Sequence, residues 1–290
     1  MPTFVFKEIT PTQIRQIGAD NAHLKFQMNQ EGAQLDAIAF QMGPQADELA
    51  QGTADVAGQL SINEWNGRKK PQLMVTDFAV SGRQLFDFRG KNNQTKPIPS
   101  EATAYLLFDE KNQKFISDPT ANIIVWSNQK ELVEAVSQNQ IEQLVFVDCP
   151  VEAITVKEIV EATEIQRIYM MFISPEEAYL NGMASREQFA TLYKFILQQK
   201  EVNLRSQLSK VANYLNIQEK LLIFMIQVFF DLGFVTIESG VLNSIEKPDN
   251  RPLTVSQVYQ QRLKKIKTEE FLLYSDCQTI QQWLWNEEDK

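Results

Sequence analysis

The sequence predicts a multi-domain protein: an all-β barrel, then an α/β domain with a parallel sheet, then a helical α+β segment. Three observations predict this order. Eight of the 11 glycines lie between Gly18 and Gly90 and none occurs from Lys91 to Asn181, so tight turns and bulges are concentrated at the start. Short apolar runs then alternate with stretches of helical spacing, and the last third of the chain carries longer helical patterns.

The first 90 residues contain five stretches of strand pattern and one short helical stretch. These predicted elements are, in order, Phe4–Ile17, His23–Met28, Leu35–Phe40, the helix Gln45–Ala50, Val56–Trp65 and Gln72–Val80. The last two strands are joined at Asn66-Gly67, a dipeptide that favours the two-residue turns of β-hairpins. Three strands, a helix and two strands is the order of an OB-fold barrel, although other small barrels share it.

A polar stretch with two prolines follows, and residues 91–100 are predicted to be a linker. Beyond it, the runs AYLLFD, NIIVWS, LVFVDCP and RIYMMFI are apolar throughout, which is typical of strands buried in a parallel sheet. The stretches NQKELVEAVSQ and TVKEIVEATE lie between the last three runs and have helical spacing. Residues 101–183 are therefore predicted to form an α/β domain.

Residues 184–290 are predicted to form a winged-helix-like region with additional C-terminal helices. Ser185 is the expected N-cap of a helix over Glu187–Gln199, and Gly233 is the expected end of the third helix. The remaining predicted elements are helices over Leu204–Asn216 and Gln218–Leu232, a hairpin that turns at Ser239-Gly240, and helices over Ser256–Glu270 and Gln278–Trp285. Three helices followed by a hairpin is the winged-helix order.

Composition excludes several classes of protein. Lys and Arg total 28 against 37 Asp and Glu, a net charge of −9, which excludes a uniformly basic nucleic-acid coat but allows a local basic patch. Two distant cysteines, Cys149 and Cys277, favour a reducing cytoplasmic compartment. The single histidine, His23, excludes a site with two His ligands within this chain. The longest apolar run, Leu221–Phe230, is too short for a bilayer span, and no signal peptide or membrane partner is expected.

Several segments carry a resemblance to a known family. The barrel segments HLKFQM, LDAIAF, DVAGQLSINEWNG and PQLMVTDFAV, in that order, resemble the OB domain of the RecJ family. The later segments AYLLFD, LVFVDCP, YLNGMASREQF and EEFLLYSD resemble the C-terminal region of RecJ proteins from Gram-positive bacteria. RecJ proteins are DHH-family exonucleases that degrade single-stranded DNA from the 5′ end. The resemblance implies the predicted fold and a role in DNA repair and recombination.

The resemblance also implies which parts of the family this chain lacks. The family's catalytic half binds two divalent metal ions, Mn²⁺ or Mg²⁺, through Asp and His residues that include a DHH motif. This sequence has one histidine and no DHH. We therefore expect an inactive C-terminal fragment of a larger exonuclease, with no catalytic residue, metal site or cofactor of its own. The implied partners are single-stranded DNA and, for the C-terminal region, the single-strand binding protein or a helicase.

The candidates for DNA binding lie in the barrel. The first 100 residues carry ten basic and ten acidic side chains, so the net charge of −9 arises from the remaining 190 residues. Seven residues at the predicted hairpin tip and around the first two strands are candidates: Arg15, His23, Lys25, Trp65, Arg68, Lys69 and Lys70. OB-folds bind single strands at this hairpin loop and on strands two and three, with cations for phosphates and aromatic rings for bases. The alternative is that Trp65 caps the core beside a solvated basic loop.

The α/β domain offers one acidic candidate. Asp148 ends the strand LVFVD, where α/β domains often place ligand-binding groups. No glycine occurs in this domain before Gly182, so glycine-rich phosphate loops are excluded. We expect Asp148 to cap the following turn or helix, and Cys149 to be a small buried side chain. An enzyme built on this domain is the weaker alternative.

The helical region suggests protein docking more than DNA reading. The third helix is apolar on nearly every face from Leu221 to Phe230, which is typical of a core or protein-docking helix. Four basic residues follow in a later helix: Arg262, Lys264, Lys265 and Lys267. They form either a solvated face or a basic rim beside Trp283 or Trp285 for the acidic tail of the single-strand binding protein. The rival to DNA binding is a protein-interaction scaffold.

Overall fold

The chain forms a closed barrel, a parallel sheet and a winged-helix-like region in the predicted order, which confirms the predicted fold class. The computed structural model describes residues 2–65, 67–90, 102–199, 201–245, 248–249 and 251–285. The chain divides into two compact units, Met1–Val147 with Val160–Met171, and Asp148–Ile159 with Phe172–Lys290. Among the helices within the described ranges, none has the length and apolar character of a membrane span.

The barrel has the strand order of an OB-fold. Its elements are β1 (Phe4–Ile17), β2 (His23–Gln30), β3 (Ala33–Ala39), α1 (Ala46–Leu49), β4 (Ala54–Trp65) and β5 (Arg68–Val80). The order β1-β2-β3-β5-β4 closes because β1 also pairs with β4. Only β3 and β5 pair in parallel, among the barrel strands that the structure describes. Alternation along β2 places Leu24, Phe26 and Met28 in the barrel core.

A close backbone contact joins two loops at one end of the barrel. The Gly43 N–H donates to the Ala22 carbonyl at 2.9 Å, and the Gln16 side-chain amide donates to the Gly43 carbonyl at 2.7 Å. A Cβ atom on residue 43 would lie 1.8 Å from the Asn21 carbonyl oxygen, so this approach requires glycine. The loop between β3 and α1 is therefore held against the loop between β1 and β2.

The parallel sheet has the order β6-β10-β9-β7-β8. Its elements are β6 (Gln84–Asp87), β7 (Thr103–Leu107), β8 (Asn122–Val125), α2 (Gln129–Gln138), β9 (Gln143–Asp148), α3 (Ile154–Thr163) and β10 (Arg167–Ile173). Strand β9 is buried along its whole length, as its continuous apolar run predicts. The Asn128 side chain caps α2 by accepting the Glu131 N–H at 3.0 Å.

Strand β6 differs from the sequence-based expectation. Residues 84–87 fall in the range 1–90 predicted for the barrel, but they pair in parallel with β10 at the edge of the other sheet. The predicted linker, 91–100, lies outside the described residues, and it connects β6 to β7, which belong to the same sheet. Only residues 81–83 separate β5 of the barrel from β6. The predicted domain bounds 1–90, 91–100, 101–183 and 184–290 otherwise stay predictions.

The helical region has a winged-helix core followed by two helices. Its elements are α4 (Ala178–Asn181), α5 (Arg186–Gln199), β11 (Glu201–Asn203), α6 (Leu204–Leu215), α7 (Glu219–Asp231), β12 (Val235–Glu238), β13 (Val241–Ser244), α8 (Gln257–Tyr274) and α9 (Cys277–Trp285). Ser185 and Gln188 form a reciprocal capping box, which confirms the predicted start of α5. Strand β11 was not predicted from the sequence, and it joins the wing as the order β11-β13-β12.

Candidate nucleic-acid interface

One row of side chains crosses the outside of the barrel from β1 to β4. In pairing order, the row consists of Arg15, Lys25, Ile38, Met74 and Gln59. Residues paired in register lie on the same face of a sheet. Because Leu24 and Phe26 on either side of Lys25 point into the core, the row points outward. We call the surface that carries this row the outer face.

A second row on the outer face is polar. It consists of Gln27, Asp36, Gln72 and Ser61, in pairing order. The Asp36 carboxylate lies 3.9 Å from the Lys25 ammonium, and both side chains are partly exposed. A pair of this kind is weak in water, so Lys25 can exchange this partner for another anion at little cost. The Gln72 side chain is buried, so the outer face combines cations, the amides of Gln27 and Gln59 and the apolar surface of Ile38 and Met74.

An aromatic ring missing from the sequence-based candidates lies at the edge of the outer face. Phe40 directly follows β3, is 49% exposed, and contacts the His23 ring edge-to-face with a centroid distance of 5.0 Å. Exposed aromatic rings beside cations are the surfaces on which unpaired bases stack. The signal in the sequence was the alternation Ile38-Ala39-Phe40, which places Phe40 on the same side as Ile38.

The environment of His23 defines its hydrogen-bonding form. Its Nδ1 atom accepts the backbone N–H of Gln41 at 3.1 Å, so the ring proton is on Nε2 in this geometry. His23 therefore contributes its ring and its Nε2 position to the edge of the outer face.

The β4–β5 hairpin continues the outer face beyond the closed part of the barrel. Asn63 pairs with Lys70, and the backbone of Trp65 pairs with Arg68. The side chains of Arg68 and Lys70 lie on the side that continues the polar row. Both cations are exposed. For Trp65 only the backbone pairing is described, and Asn66 in the turn lies outside the described residues.

Lys69 lies on the opposite side of the same hairpin. It pairs with Glu64, and its Nζ atom is 3.4 Å from a Glu64 carboxylate oxygen. Leu60 and Ile62 lie on this side as well, and both are exposed. The three consecutive cations predicted as one cluster are therefore divided, with Arg68 and Lys70 on the outer face and Lys69 on the other.

The basic residues of α8 mostly contact the chain itself. Arg262 is buried, donates to the Gly182 carbonyl at 3.0 and 2.9 Å, and stacks on the Phe224 ring. Lys264 forms an ion pair with Glu152 at 2.7 Å, and Lys265 donates to the Cys149 carbonyl. Lys267 is exposed and makes no hydrogen bond or ion pair with any residue that the structure describes.

A buried carboxylate holds α8 against a neighbouring loop. Glu269 is fully buried and accepts hydrogen bonds from the Ser174 hydroxyl and, at 2.8 Å, from the Tyr179 N–H. Thr268, beside it, donates to the Val151 carbonyl at 2.9 Å. These polar contacts, together with those of Lys265, bind α8 to the segments that follow β9 and β10 in the chain. The Cys149 and Val151 carbonyls in these segments accept hydrogen bonds from Lys265 and Thr268 of α8.

The end of β9 carries Asp148, followed by Cys149, the acidic and thiol side chains singled out in the sequence. Asp148 is buried, and Cys149 is buried with a thiol pKa raised from 9.0 to about 12, first by burial. Lys265 opposes this shift, and Glu269 and Asp148 add to it. A thiol with this pKa is protonated at neutral pH and is a poor nucleophile, as expected from the sequence. Among the described residues, no cluster of three or more His, Cys, Asp or Glu side chains could hold a metal ion.

The fold and the outer face define a class: a multi-domain protein built on an OB-fold barrel. Residues 84–284 match the family model described as the C-terminal domain of single-strand DNA-specific exonuclease, and residues 1–77 match the RecJ OB domain. The chain therefore belongs to the RecJ family of single-strand DNA-specific exonucleases, which confirms the resemblance inferred from its motifs. The gap between the two matches, residues 78–83, ends directly before β6.

A curated relative and two solved structures are similar to this chain. The chain is 33% identical over 282 residues to the single-stranded-DNA-specific exonuclease RecJ of Bacillus subtilis (strain 168). The match covers 93% of this chain and 35% of the relative, so the chain spans about a third of the relative's length. Crystal structures of RecJ from Thermus thermophilus in complex with Mg²⁺ and with Mn²⁺ are 15% and 14% identical. Each alignment covers 77% of this chain, and it covers 32% of the Mg²⁺ structure and 30% of the Mn²⁺ structure. The TM-scores are 0.22 and 0.23, respectively.

Proposed function

We propose that this chain binds single-stranded DNA on the outer face of its barrel, as part of a RecJ-type exonuclease acting in DNA repair and recombination in the cytoplasm. The observation that carries the proposal is the alignment of Arg15 and Lys25 with apolar Ile38 and Met74 on one surface. Cations suit the phosphates, and the apolar side chains, with Phe40 beside them, suit the faces of unpaired bases.

Charge distribution supports binding at this surface. Two cations, Arg15 and Lys25, lie on the closed barrel, and Arg68 and Lys70 extend the same side along the hairpin. Lys69 is compensated by Glu64 on the other side. The two rows and the side of the hairpin that continues them carry four basic side chains and one acid, Asp36, within a protein of net charge −9. The proposed interface is therefore confined to one side of the barrel, whose residues 4–80 together carry six basic and nine acidic side chains.

In the intact exonuclease, we assign phosphodiester hydrolysis to the part of the protein that this chain does not cover. A divalent metal ion, Mn²⁺ or Mg²⁺, would supply an activated water molecule there. The 5′-to-3′ direction and the processivity of cleavage would depend on how this chain holds the DNA. We expect the isolated chain with Mn²⁺ to leave a labelled oligonucleotide intact, and sustained hydrolysis by the purified chain would contradict this assignment.

The direct test is binding of fluorescent oligo-dT, followed by anisotropy across a salt series. The affinity should fall steeply with salt, because displaced counterions report phosphate contacts. The double variant Arg15→Glu/Lys25→Glu should reduce the affinity by at least about tenfold at low salt. The control Lys111→Glu/Lys130→Glu makes the same change in charge outside the barrel and should have a much smaller effect. Equal effects of the two double variants would contradict binding at the outer face.

We also keep protein docking by α8 as a second candidate function. Lys267, Phe271 and Tyr274 recur at helical spacing, and Phe271 contacts Trp283 edge-to-face at 4.9 Å. An exposed cation beside aromatic rings suits an acidic peptide with apolar end residues, such as the tail of the single-strand binding protein. A helicase is the other predicted partner. Lys267→Glu should weaken binding of such a tail peptide, and an unchanged affinity would dismiss the site.

If oligo-dT does not bind and the chain is folded, the alternative is a protein-interaction scaffold whose barrel has no DNA contact of its own. This alternative predicts normal circular dichroism and cooperative unfolding together with an anisotropy that does not change with protein concentration. The outer-face variants would then have no effect on the activity of the full-length exonuclease.

A further inference from the structure

Three contacts connect the barrel, at α1, at Gln51 just beyond it and at the end of β5, to the edge of the parallel sheet. The Arg167 guanidinium on β10 lies 2.5 Å from the Glu48 carboxylate on α1, and both side chains are about two-thirds or more buried. The Leu85 N–H on β6 donates to the Gln51 side-chain oxygen at 3.2 Å. The Gln84 side chain donates to the Val80 carbonyl at the end of β5, at 3.1 Å. All of these residues lie within the same compact unit of the chain.

A second set of contacts connects α1 to the edge of the outer face. Helix α1 follows the loop that carries Phe40, Gln41 and Gly43. Gln41 holds the His23 ring through its N–H, and the Gly43 N–H donates to the Ala22 carbonyl. Leu49 of α1 is fully buried in the barrel core, so α1 cannot shift without disturbing these contacts. The position of the Phe40 and His23 rings therefore depends on the position of α1.

We infer that Glu48, Gln51 and Arg167 are positioning residues. Through them, the parallel sheet holds the Phe40 and His23 rings in place at the edge of the outer face. Strand β6 is already paired in the sheet, so the connection between barrel and sheet runs through residues 81–83. A side chain fixed by a rigid support loses less freedom on binding than a mobile one. The part of this inference that concerns DNA affinity rests on the proposed function.

The test compares oligo-dT affinity of the full chain and its Glu48→Gln and Arg167→Met variants. The two substitutions change net charge in opposite directions. A field effect alone would make Glu48→Gln bind DNA more tightly and Arg167→Met more weakly. If the Glu48–Arg167 ion pair supports the outer face, both variants should bind oligo-dT about two- to fivefold more weakly than the unmodified chain. This is the range expected for a partly exposed ion pair. The charge swap Glu48→Arg/Arg167→Glu should restore most of the affinity.

The matched control is Glu161→Gln, an exposed acid on α3 with no hydrogen bond or ion pair to any residue in the described ranges. It changes charge as Glu48→Gln does and should leave affinity unchanged or slightly higher. Increased affinity of Glu48→Gln, to the same extent as Glu161→Gln, would overturn the inference. So would a charge swap that binds no better than the single variants.

Hydrogen exchange provides an arm that does not need DNA. In both single variants, amides of residues 46–51 and 84–88 should exchange faster than in the unmodified chain, because the contacts between α1 and β6 loosen. Exchange within β2 and β9 serves as the internal reference. If the unmodified chain does not bind oligo-dT, the proposed function fails. Hydrogen exchange then decides by itself whether Glu48 and Arg167 hold α1 against the sheet. Unchanged exchange in residues 46–51 would then overturn it.

Discussion

Lys69 and Lys70 are consecutive in the sequence but lie on opposite sides of the β4–β5 hairpin. Lys70 pairs with Asn63 on the outer face, whereas Lys69 pairs with Glu64 and forms an ion pair with it at 3.4 Å. The cause is the two-residue repeat of a strand, which directs successive side chains to opposite faces. Equal charge and adjacent position therefore do not make the two lysines equivalent toward a ligand on the outer face.

This relationship predicts different effects of the two charge reversals. Lys70→Glu should weaken oligo-dT binding by about tenfold at low salt, and should lower the slope of log affinity against log salt by about one. Lys69→Glu should have at most a small effect, because the site lies on the other face and already faces an acid. Anisotropy titrations at several salt concentrations measure both quantities.

The comparison controls itself, since each variant changes net charge by the same amount at neighbouring positions. A larger loss of affinity for Lys69→Glu than for Lys70→Glu would place the DNA on the opposite side, near Leu60 and Ile62. Equal losses would indicate that only the overall charge of the hairpin matters.

Phe40 should contribute to affinity through stacking on a base. Phe40→Ala should weaken oligo-dT binding by about 1–3 kcal/mol, the range found for stacked bases, with little change in the salt slope. Phe40→Trp should preserve binding, because the ring face remains. Ile62→Ala removes an exposed apolar side chain from the other side of the hairpin and should bind as the unmodified chain does. Normal affinity of Phe40→Ala would exclude Phe40 from the interface.

The buried Glu269 carboxylate should be essential for the stability of the C-terminal region. Glu269→Ala leaves the Ser174 hydroxyl and the Tyr179 N–H without their acceptor, at a cost of about 1–3 kcal/mol for each group. Glu269→Gln keeps one acceptor oxygen and should be less damaging. Urea denaturation followed by circular dichroism gives the free energies of unfolding.

Glu270 provides the matched control for this prediction, since it is the next residue in α8 and is exposed. Glu270→Ala should change the free energy of unfolding by no more than about 0.5 kcal/mol. Similar losses for the Glu269 and Glu270 variants would mean that the buried hydrogen bonds make no specific contribution.

Two buried groups, the Cys149 thiol and the Tyr169 hydroxyl, should make the free energy of unfolding decrease at alkaline pH. Burial raises the pKa of the Cys149 thiol from 9.0 to about 12 and the pKa of the Tyr169 hydroxyl from 10.0 to about 12. The unfolded chain loses these protons near its ordinary values, whereas the folded chain retains them until about pH 12. The contribution of these two groups to the free energy of unfolding is therefore fully present below about pH 9 and decreases as the pH rises from about 9 to 12.

Substitution separates these two groups from the other titrating residues. Cys149→Ala should flatten the decrease between about pH 9 and 12, and Tyr169→Phe should flatten it between about pH 10 and 12, each by up to about 1.4 kcal/mol per pH unit. Tyr169→Phe also removes the hydrogen bond from its hydroxyl to Gln143, so its stability at neutral pH is the necessary reference. Parallel stability curves for the variants and the unmodified chain would falsify this assignment.

Local patterns were sufficient to predict most elements of the fold. The alternation of Leu24, Phe26 and Met28 predicts β2, and Ser185 predicts the start of α5, because both depend on neighbours a few residues away. Strands β6 and β11 were missed, because runs of four and three residues carry too little periodicity. Each exists through its partner, β6 through the distant β10 and β11 through β13.

The candidate site was predicted in part. The charge balance and the order of the strands pointed to the barrel cations. The candidates did not include Phe40, Ile38 and Met74, because apolar residues in a strand are equally consistent with a core. Of the α8 cations, Arg262 lies in the interior of the C-terminal region, stacked on Phe224, where its long side chain reaches the Gly182 carbonyl. Sequence alone cannot distinguish such a cation from a solvated one, because both fit the same helical pattern.

The amino-acid sequence by itself determined the order of most strands and helices, the family and the equal numbers of basic and acidic side chains in the first 100 residues, since these depend on composition and on contacts between near neighbours. The tertiary structure alone decided that Arg15, Lys25, Ile38 and Met74 share one surface, that Lys69 is excluded from it, and that Arg167 reaches Glu48. The physical reason is strand register. A shift of one residue turns every side chain to the other face, and register is set by closure of the whole barrel.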